Sequence, residues 1–546
     1  MPKRKRANPD SKARIYVCAA VVTLAFGGAM FSQARAQLIL RDDVLSRDSP
    51  WSGKRSSAPT TPQIGAIISS DGQILAETEN VYEFSLFYDR LPHSPTFFME
   101  LSEATGFSAS DLQSGAWSSR KSWRADRLLN NGQKSMVRRI ATKWRADGVS
   151  LLAIGSRYYP LLEAASGVIG RVGADGPVNG IELEQAAALR TNDITLTINS
   201  ELQVAAHTAV RHAVEINKAD SGTAIVIDPT TGDVLAMVNW PSFNPESVTD
   251  PSLDYNTAYM AQFEPGSTFK ILTLAKAIDS GAIRRDNSLV CDGRITVGGQ
   301  ALRCDEHGGS RAHGTVDNEK AIARSCNISA AQWSMAVGVD GMRDFIATLG
   351  ILAPPGIGLP SEKGSRFKQN PGNATRQIAE LGFGQSIGVP AILMANAFAA
   401  LANDGLRMKL RLIKSVGKRE TPVESAERIV SAEAAAYVRK LMESVIHEEY
   451  GTADQLMIPG YRIAGKTGTS QKIGTAVGGN ISNFVGFVPA GKPRAVIYVV
   501  IDNPRAGQIY GGIVAGPAFR EIALAVIDQL EIPRSPQPAE TSDSQE

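Results

Sequence analysis

Glu264-Pro265-Gly266-Ser267-Thr268-Phe269-Lys270 is the stretch on which the reading of this chain turns. Pro265-Gly266 predicts a turn, and Ile271, Leu274, Ala275 and Ile278 continue at helical spacing, so Ser267 is expected in the first turn of a helix. The unpaired N–H groups and positive dipole end of such a turn favour developing negative charge. Lys270 follows three residues on, about one turn, which puts its amine within reach of the serine oxygen. A serine needs a base to act as a nucleophile, and a lysine serves as one only when burial or neighbouring cations lower its pKa. Taken alone, Ser-x-x-Lys fits an ordinary capped helix equally well. It gains meaning only with partners.

Two partners occur downstream. Ser325-Cys326-Asn327 falls between two helical stretches, where a hydroxyl can relay a proton and an amide can hold a substrate amide. Lys466-Thr467-Gly468-Thr469 follows a strand predicted at Arg462–Ala464. Alternation puts Thr467 and Thr469 on one face, able to bind a carboxylate, while Gly468 admits substrate backbone. Lys466 adds a fixed positive charge. The candidate catalytic set is therefore Ser267, Lys270, Ser325, Asn327 and Lys466, with Thr467, Gly468 and Thr469 binding substrate. No cofactor is expected, and no metal is assigned to the chemistry.

Around these segments the chain predicts an α/β domain. Thr223–Pro229 and Val234–Val238 form a hairpin, residues 252–404 read as mostly helical, and strands return at Phe484–Val488 and Ala495–Ile501. A closing helix after Pro517 carries Phe519, Ile522, Ala523, Val526 and Ile527 on one face. The expected fold is an antiparallel sheet with helices on its faces and an all-α insertion, preceded by an α+β pedestal. The divisions are a cytoplasmic tail at 1–14, an anchor at 15–34, the pedestal at 37–190, the catalytic domain at 191–532 and a Pro/Ser/Glu-rich tail at 533–546 that is expected to be disordered.

The net charge of +2 over 546 residues conceals an asymmetry. Residues 1–36 hold seven Lys/Arg against one acid, which leaves 50 basic and 54 acidic residues in the remainder. A mildly acidic body without a basic stripe argues against a nucleic-acid partner. The uncharged run from Ile15 to Phe31 behind a basic flank predicts a single-pass membrane anchor with the body on the outer face. The rival reading is a signal peptide cleaved after Ala34-Arg35-Ala36.

The three triplets in this order are the signature set of penicillin-binding proteins and class A β-lactamases. From about Asp193 to Leu530 the chain resembles a class B penicillin-binding protein, a monofunctional peptidoglycan DD-transpeptidase. Further matching stretches are Asp228-Pro-Thr-Thr-Gly-Asp-Val-Leu-Ala-Met237, Leu381-Gly-Phe-Gly384, Ala399-Ala-Leu-Ala-Asn-Asp-Gly405 and Tyr510-Gly-Gly512. Glu-Pro-Gly-Ser in the nucleophile loop and Ile501-Asp-Asn-Pro504 lean towards the division-specific subgroup. The resemblance implies attack by Ser267 on a D-Ala-D-Ala stem peptide, covalent capture of β-lactams, and an oxyanion held by the N–H groups of Ser267 and Thr469. It also implies a place in the bacterial cytoplasmic (inner) membrane with the catalytic domain in the periplasm. The implied partners are a SEDS-family lipid-II glycosyltransferase and other division proteins. The alternatives are an elongation-type transpeptidase and a β-lactam sensor; no deacylating glutamate of a β-lactamase can be assigned.

The pedestal departs from the family pattern. Where relatives open with Arg-Gly-x-Ile-x-Asp-Arg-x-Gly, this chain has Ile64-Gly-Ala-Ile-Ile-Ser-Ser-Asp-Gly72, so the Arg and the Asp-Arg pair are missing. Arg157-Tyr-Tyr-Pro160 and Gly180-Ile-Glu-Leu183 match. Cys291, Cys304 and Cys326 leave three readings open: a Cys291–Cys304 disulfide across the hairpin-like Ile295–Leu302 segment, no special role, or a zinc site of Cys304, His307, His313 and Cys326. Some elongation-type members of the family carry a zinc near this place.

Overall fold

A computed structural model describes residues 64–535, apart from 117–119, 174, 248–249, 305–311 and 473–478. The anchor read at 15–34 and most of the tail lie outside the described residues. No helix among the described residues is long and apolar enough to cross a membrane.

The N-terminal module is built on a ribbon. Strand β1 (Ile67–Ile68) turns through Gly72 (φ +86°) into β2 (Ile74–Phe87), which pairs antiparallel with β3 (Val149–Tyr158). Helices at Pro95–Thr105 and Asn131–Trp144 pack beside it, the second started by a reciprocal Asn130–Gln133 capping box. Together they bury a separate core around Phe84, Phe97, Phe98, Leu101 and Val137.

The module is not closed at residue 190. Ile194–Leu196 pairs parallel with β1, and Ile413–Val416 adds antiparallel to its other side. One sheet thus crosses the boundary expected at 190/191. Its parallel contact joins residues about 127 apart through two-residue pairings, too short to leave a sequence pattern.

The larger domain starts with helix α1 (Ser200–Ile216), capped by Asn199 and also by Asp71, whose carboxylate accepts from the Ser200 N–H at 2.9 Å. The hairpin β4 (Ser221–Ile227) and β5 (Val234–Trp240) follows, and then helix α2 (Phe269–Asp279). The mostly helical middle contains four short strands: β6 (Ser288–Cys291), β7 (Arg294–Val297), β8 (Gln300–Arg303) and β9 (Gly314–Asp317). Helices α3 (Asn318–Ala323) and α4 (Asn327–Val337) come next. Helix α5 (Ala391–Ala402) is apolar apart from Asn396 and wholly buried, as a central helix must be. Helix α6 (Ala432–His447) leads to β10 (Ala464–Gln471), β11 (Asn480–Val488), β12 (Ala495–Asp502) and the closing helix α7 (Gly516–Gln529).

The main sheet runs β10-β11-β12-β4-β5, antiparallel throughout. Helices α1 and α7 pack together on one side, and α5 lies against β12 and β4. All five apolar residues read on α7 are buried. The expected strand at Arg462–Ala464 is displaced: the strand begins at Ala464 and contains Lys466–Thr469. Gly-Lys-Thr-Gly-Thr-Ser has weak strand propensity, and pairing to β11 overrides it. Of the tail, Ser535 docks, its N–H donating to Gly460 O at 2.9 Å.

Candidate active site

Because β10 is the edge of the main sheet, half of its backbone groups are open to an added strand. Thr467 and Thr469 are half-buried while Lys466 and Gly468 are buried, the alternation expected of a strand. Thr467 Oγ1 lies 3.2 Å from Thr452 Oγ1, and Thr469 Oγ1 accepts from the Gly511 N–H at 3.2 Å.

The nucleophile turn is fastened to this strand. Ser470 Oγ donates to Glu264 O at 2.7 Å, Asn483 Nδ2 donates to Pro265 O at 3.3 Å, and the Gly266 N–H donates to Gly384 O at 3.1 Å. Gly266 takes φ +57°, where a Cβ would meet Thr469 O at 2.8 Å; a Cβ on Gly384 would lie 2.2 Å from Gly266 O. Glycine is thus required at both positions by close backbone approach and by conformation. Residues 266–268 form a tight 3₁₀ turn that runs into α2, leaving Ser267 half-buried at its mouth and Lys270 fully buried on the first turn behind it.

Lys270 Nζ donates to Ser325 O at 2.6 Å, Ser325 Oγ at 3.1 Å and Asn327 Oδ1 at 2.5 Å. Lys466 Nζ donates to Ser325 Oγ at 3.0 Å, Thr467 O at 3.0 Å and Thr467 Oγ1 at 3.3 Å. Ser325 is therefore the bridge between the two lysines. It sits at φ +56°, a left-handed conformation rare outside glycine, in the tight link between α3 and α4. Burial, and then the charge of Lys270, hold Lys466 well below the ordinary lysine range. The three segments read from sequence are thus brought together from a helix start, an inter-helix link and an edge strand.

Sequence reasoning assigned no role to the supporting set: Asn483, Thr452 and Gly511. Gly511-Gly512 starts a short helix, Gly511–Val514. A Cβ on Gly511 would stand 2.4 Å from Gly468 O. The doubled glycine was the available signal of close backbone approach.

Cys291, Cys304 and Cys326 are buried and no disulfide joins them, which leaves the Cys291–Cys304 bridge, one of the three open readings, without support. Paired strands bring His313 beside the sulfurs. His307, part of the zinc reading, lies outside the described residues.

A serine turn pinned to an edge strand, with two buried lysines meeting on a second serine, defines a serine-active-site domain of the penicillin-binding class. Residues 222–524 match the penicillin binding protein transpeptidase domain, and the chain belongs to that family, as a class B member. It is 30% identical over 413 residues to penicillin-binding protein PbpB of Mycolicibacterium smegmatis, covering 72% of this chain and 63% of that protein. It is 28% identical over 421 residues to a probable peptidoglycan D,D-transpeptidase PbpC of Pseudomonas aeruginosa, covering 71% of this chain and 73% of that one. This chain therefore spans less than two thirds of the length of the mycobacterial relative. Among solved structures it resembles penicillin binding protein 3 of Mycobacterium tuberculosis complexed with aztreonam. The TM-score is 0.68 at 25% identity, covering 87% of this chain and 98% of that one.

Proposed function

We propose that the chain is a peptidoglycan DD-transpeptidase working in cell division. In this reading Ser267 Oγ attacks the penultimate D-alanine carbonyl of a stem peptide as Lys270 accepts its proton. The terminal D-alanine leaves with a proton relayed through Ser325. An amine of a second stem peptide then resolves the ester and restores the serine. Asn327 holds the substrate amide, Thr467 and Thr469 take its carboxylate, and substrate backbone adds to the open edge of β10. A β-lactam enters the same cycle at the acylation step, because its strained amide mimics the scissile bond. The observation that carries the proposal is Ser325 Oγ placed between Lys270 and Lys466, an arrangement of groups able to pass a proton.

The division role is supported by the Glu-Pro-Gly-Ser form of the nucleophile loop and by Ile501-Asp-Asn-Pro504. The anchor at 15–34, the periplasmic location and a SEDS-family glycosyltransferase partner belong to the same proposal. The pedestal bears on the choice of partner. Where the family has an arginine, Ile64 offers only its carbonyl to Arg157, and Glu182 Oε2 has no partner among the described residues. Charged groups at interfaces set specificity and register, so their loss here points to a distinct or conditional partner.

The test offers a pentapeptide donor and a labelled D-amino acid acceptor to the purified chain. Exchange of the terminal D-alanine, without rapid nitrocefin hydrolysis, is expected. Nitrocefin turnover of several per second contradicts the transpeptidase reading, and acylation without any exchange makes the protein a β-lactam sensor. Depletion giving filaments supports the division role; rounded cells assign the chain to elongation.

A further inference from the structure

A line of hydrogen bonds runs from a helix to the nucleophile turn through residues outside the acyl-transfer set. It starts on the helix Ala374–Leu381, where Arg376 Nε donates to Glu380 Oε1 at 2.6 Å. The other carboxylate oxygen, Glu380 Oε2, accepts from Ser386 Oγ at 3.0 Å. The Ser386 N–H in turn donates to Glu264 Oε1 at 2.8 Å. Glu264 stands three residues before Ser267, and its carbonyl also accepts from Ser470 on β10.

The helix alone does not explain these charges. Arg376 lies in its first turn and Glu380 in its last, so each meets the unfavourable end of the dipole. The arginine also precedes the glutamate, the weaker order for an i,i+4 pair. What the pair does hold is the segment after the helix. Glu380 O accepts from the Phe383 N–H at 3.2 Å and the Gln385 N–H at 3.1 Å, while its side chain takes the Ser386 hydroxyl. Ser386 sits at φ +65°, a left-handed conformation that its surroundings must impose on a serine. This segment runs alongside the nucleophile loop. The Val389 N–H donates to Phe263 O at 2.9 Å and the Gly266 N–H to Gly384 O at 3.1 Å, so backbone bonds join the two at either end. In the middle Pro265 has no N–H to offer, and the Glu264 carboxylate takes the Ser386 N–H instead.

We infer that Glu264 is a positioning residue for Ser267, and that Arg376 and Glu380 act through Ser386 to hold its carboxylate in place. The brace stands on these contacts; its effect on rate rests on the acyl-transfer reading. Hydrogen bonds to an ionised group are stronger than neutral ones, and both ends of this line are of that kind. Attack on a carbonyl needs the reacting atoms about 3–3.5 Å apart, and a misplacement of about 1 Å can cost about 10²-fold in rate. Asn327, Thr467 and Thr469, which hold the substrate in this reading, lie on other elements. Loss of the brace therefore acts on bond formation and leaves recognition in place.

The test separates binding from bond formation in the purified full chain. The dependence of acylation on the concentration of a fluorescent penicillin gives a dissociation constant for the first complex and a limiting rate. Glu264→Ala should lower the limiting rate by about 10²-fold and leave the dissociation constant near its original value. Glu264→Gln keeps an oxygen for the Ser386 N–H and should recover most of the rate. Glu380→Ala should slow the reaction in the same sense, and the double variant Glu264→Ala/Glu380→Ala should be no slower than Glu264→Ala alone. If an alanine variant does not fold, Arg376→Met, which leaves Ser386 and Glu264 intact, should slow the limiting rate in the same way. Amide hydrogen exchange should quicken in the peptide containing Gly266 and Ser267 and stay unchanged in β11. An unchanged limiting rate, or a change confined to the dissociation constant, overturns the positioning role. Losses that multiply in the double variant overturn the relay from Glu380. If the unaltered chain is never acylated, the acyl-transfer reading fails and exchange alone decides the brace: quickening at Gly266 in Glu264→Ala sustains it, and no change overturns it.

Discussion

Lys270 and Lys466 reach the same oxygen: Ser325 Oγ lies 3.1 Å from the first amine and 3.0 Å from the second. Both lysine side chains are fully buried. Burial, and then the charge of Lys270, hold Lys466 well below the ordinary lysine range, so the doubly protonated state is disfavoured. At low pH both amines are protonated and no base is present; as pH rises the pair gives up a proton and a base appears. The rate constant for penicillin acylation should therefore rise with pH through a midpoint below the ordinary lysine value of about 10.4. Lys466→Met removes the repelling charge, so it should move that midpoint upward while slowing the reaction. A midpoint at the ordinary value, unmoved by Lys466→Met, contradicts the coupling.

Ser325→Gly separates the hydroxyl from the backbone it sits on. Glycine accepts φ +56° without strain, so the melting temperature should hold or rise slightly. Acylation should fall by about 10²–10⁴-fold, the range for loss of a proton-transfer group. An unaffected rate would mean that the bridge between the lysines carries no proton.

Gly384→Ala tests the clamp on the nucleophile turn. The new Cβ would stand 2.2 Å from Gly266 O, and neither backbone can move without disturbing contacts to β10. A loss of about 1–3 kcal/mol in stability is expected, measured by chemical unfolding, with a larger proportional loss of acylation. Acylation at the normal rate would show that the turn is positioned by other contacts.

Arg157 and Glu182 form a nearly inaccessible ion pair, with Arg157 Nε 2.7 Å from Glu182 Oε1. Burial raises the Glu182 carboxyl pKa while Arg157 pulls it back. Arg157→Met leaves a buried carboxylate without its countercharge and should cost about 3–5 kcal/mol. Adding Glu182→Leu should recover most of that loss in the melting temperature. Equal destabilisation by the single and double variants would mean that the pair matters for packing alone.

The site was legible in sequence because its chemistry is written in short segments: Ser267 with Lys270, Ser325 with Asn327, and Lys466 through Thr469. The element carrying the last of these was misplaced, since Gly465, Lys466 and Gly468 do not favour a strand until β11 pairs with them. The cysteines were ambiguous for a related reason. Separation along the chain could not show that pairing of β6 with β9 sets His313 beside Cys291. Apolar periodicity exposed the buried face of α7 but said nothing of the parallel contact between Ile67 and Ile194, which joins the pedestal sheet to the catalytic domain. Local chemistry and periodicity survive in a sequence, while long-range pairing leaves little trace.

The central claim, that Ser267 is the acyl-accepting nucleophile, is tested most directly by mass spectrometry of the chain after exposure to benzylpenicillin. The account predicts a mass gain of one antibiotic molecule per chain, located on the peptide containing Ser267, persisting for many minutes and absent from Ser267→Ala. An adduct that survives in Ser267→Ala, or one located on another residue, would contradict it.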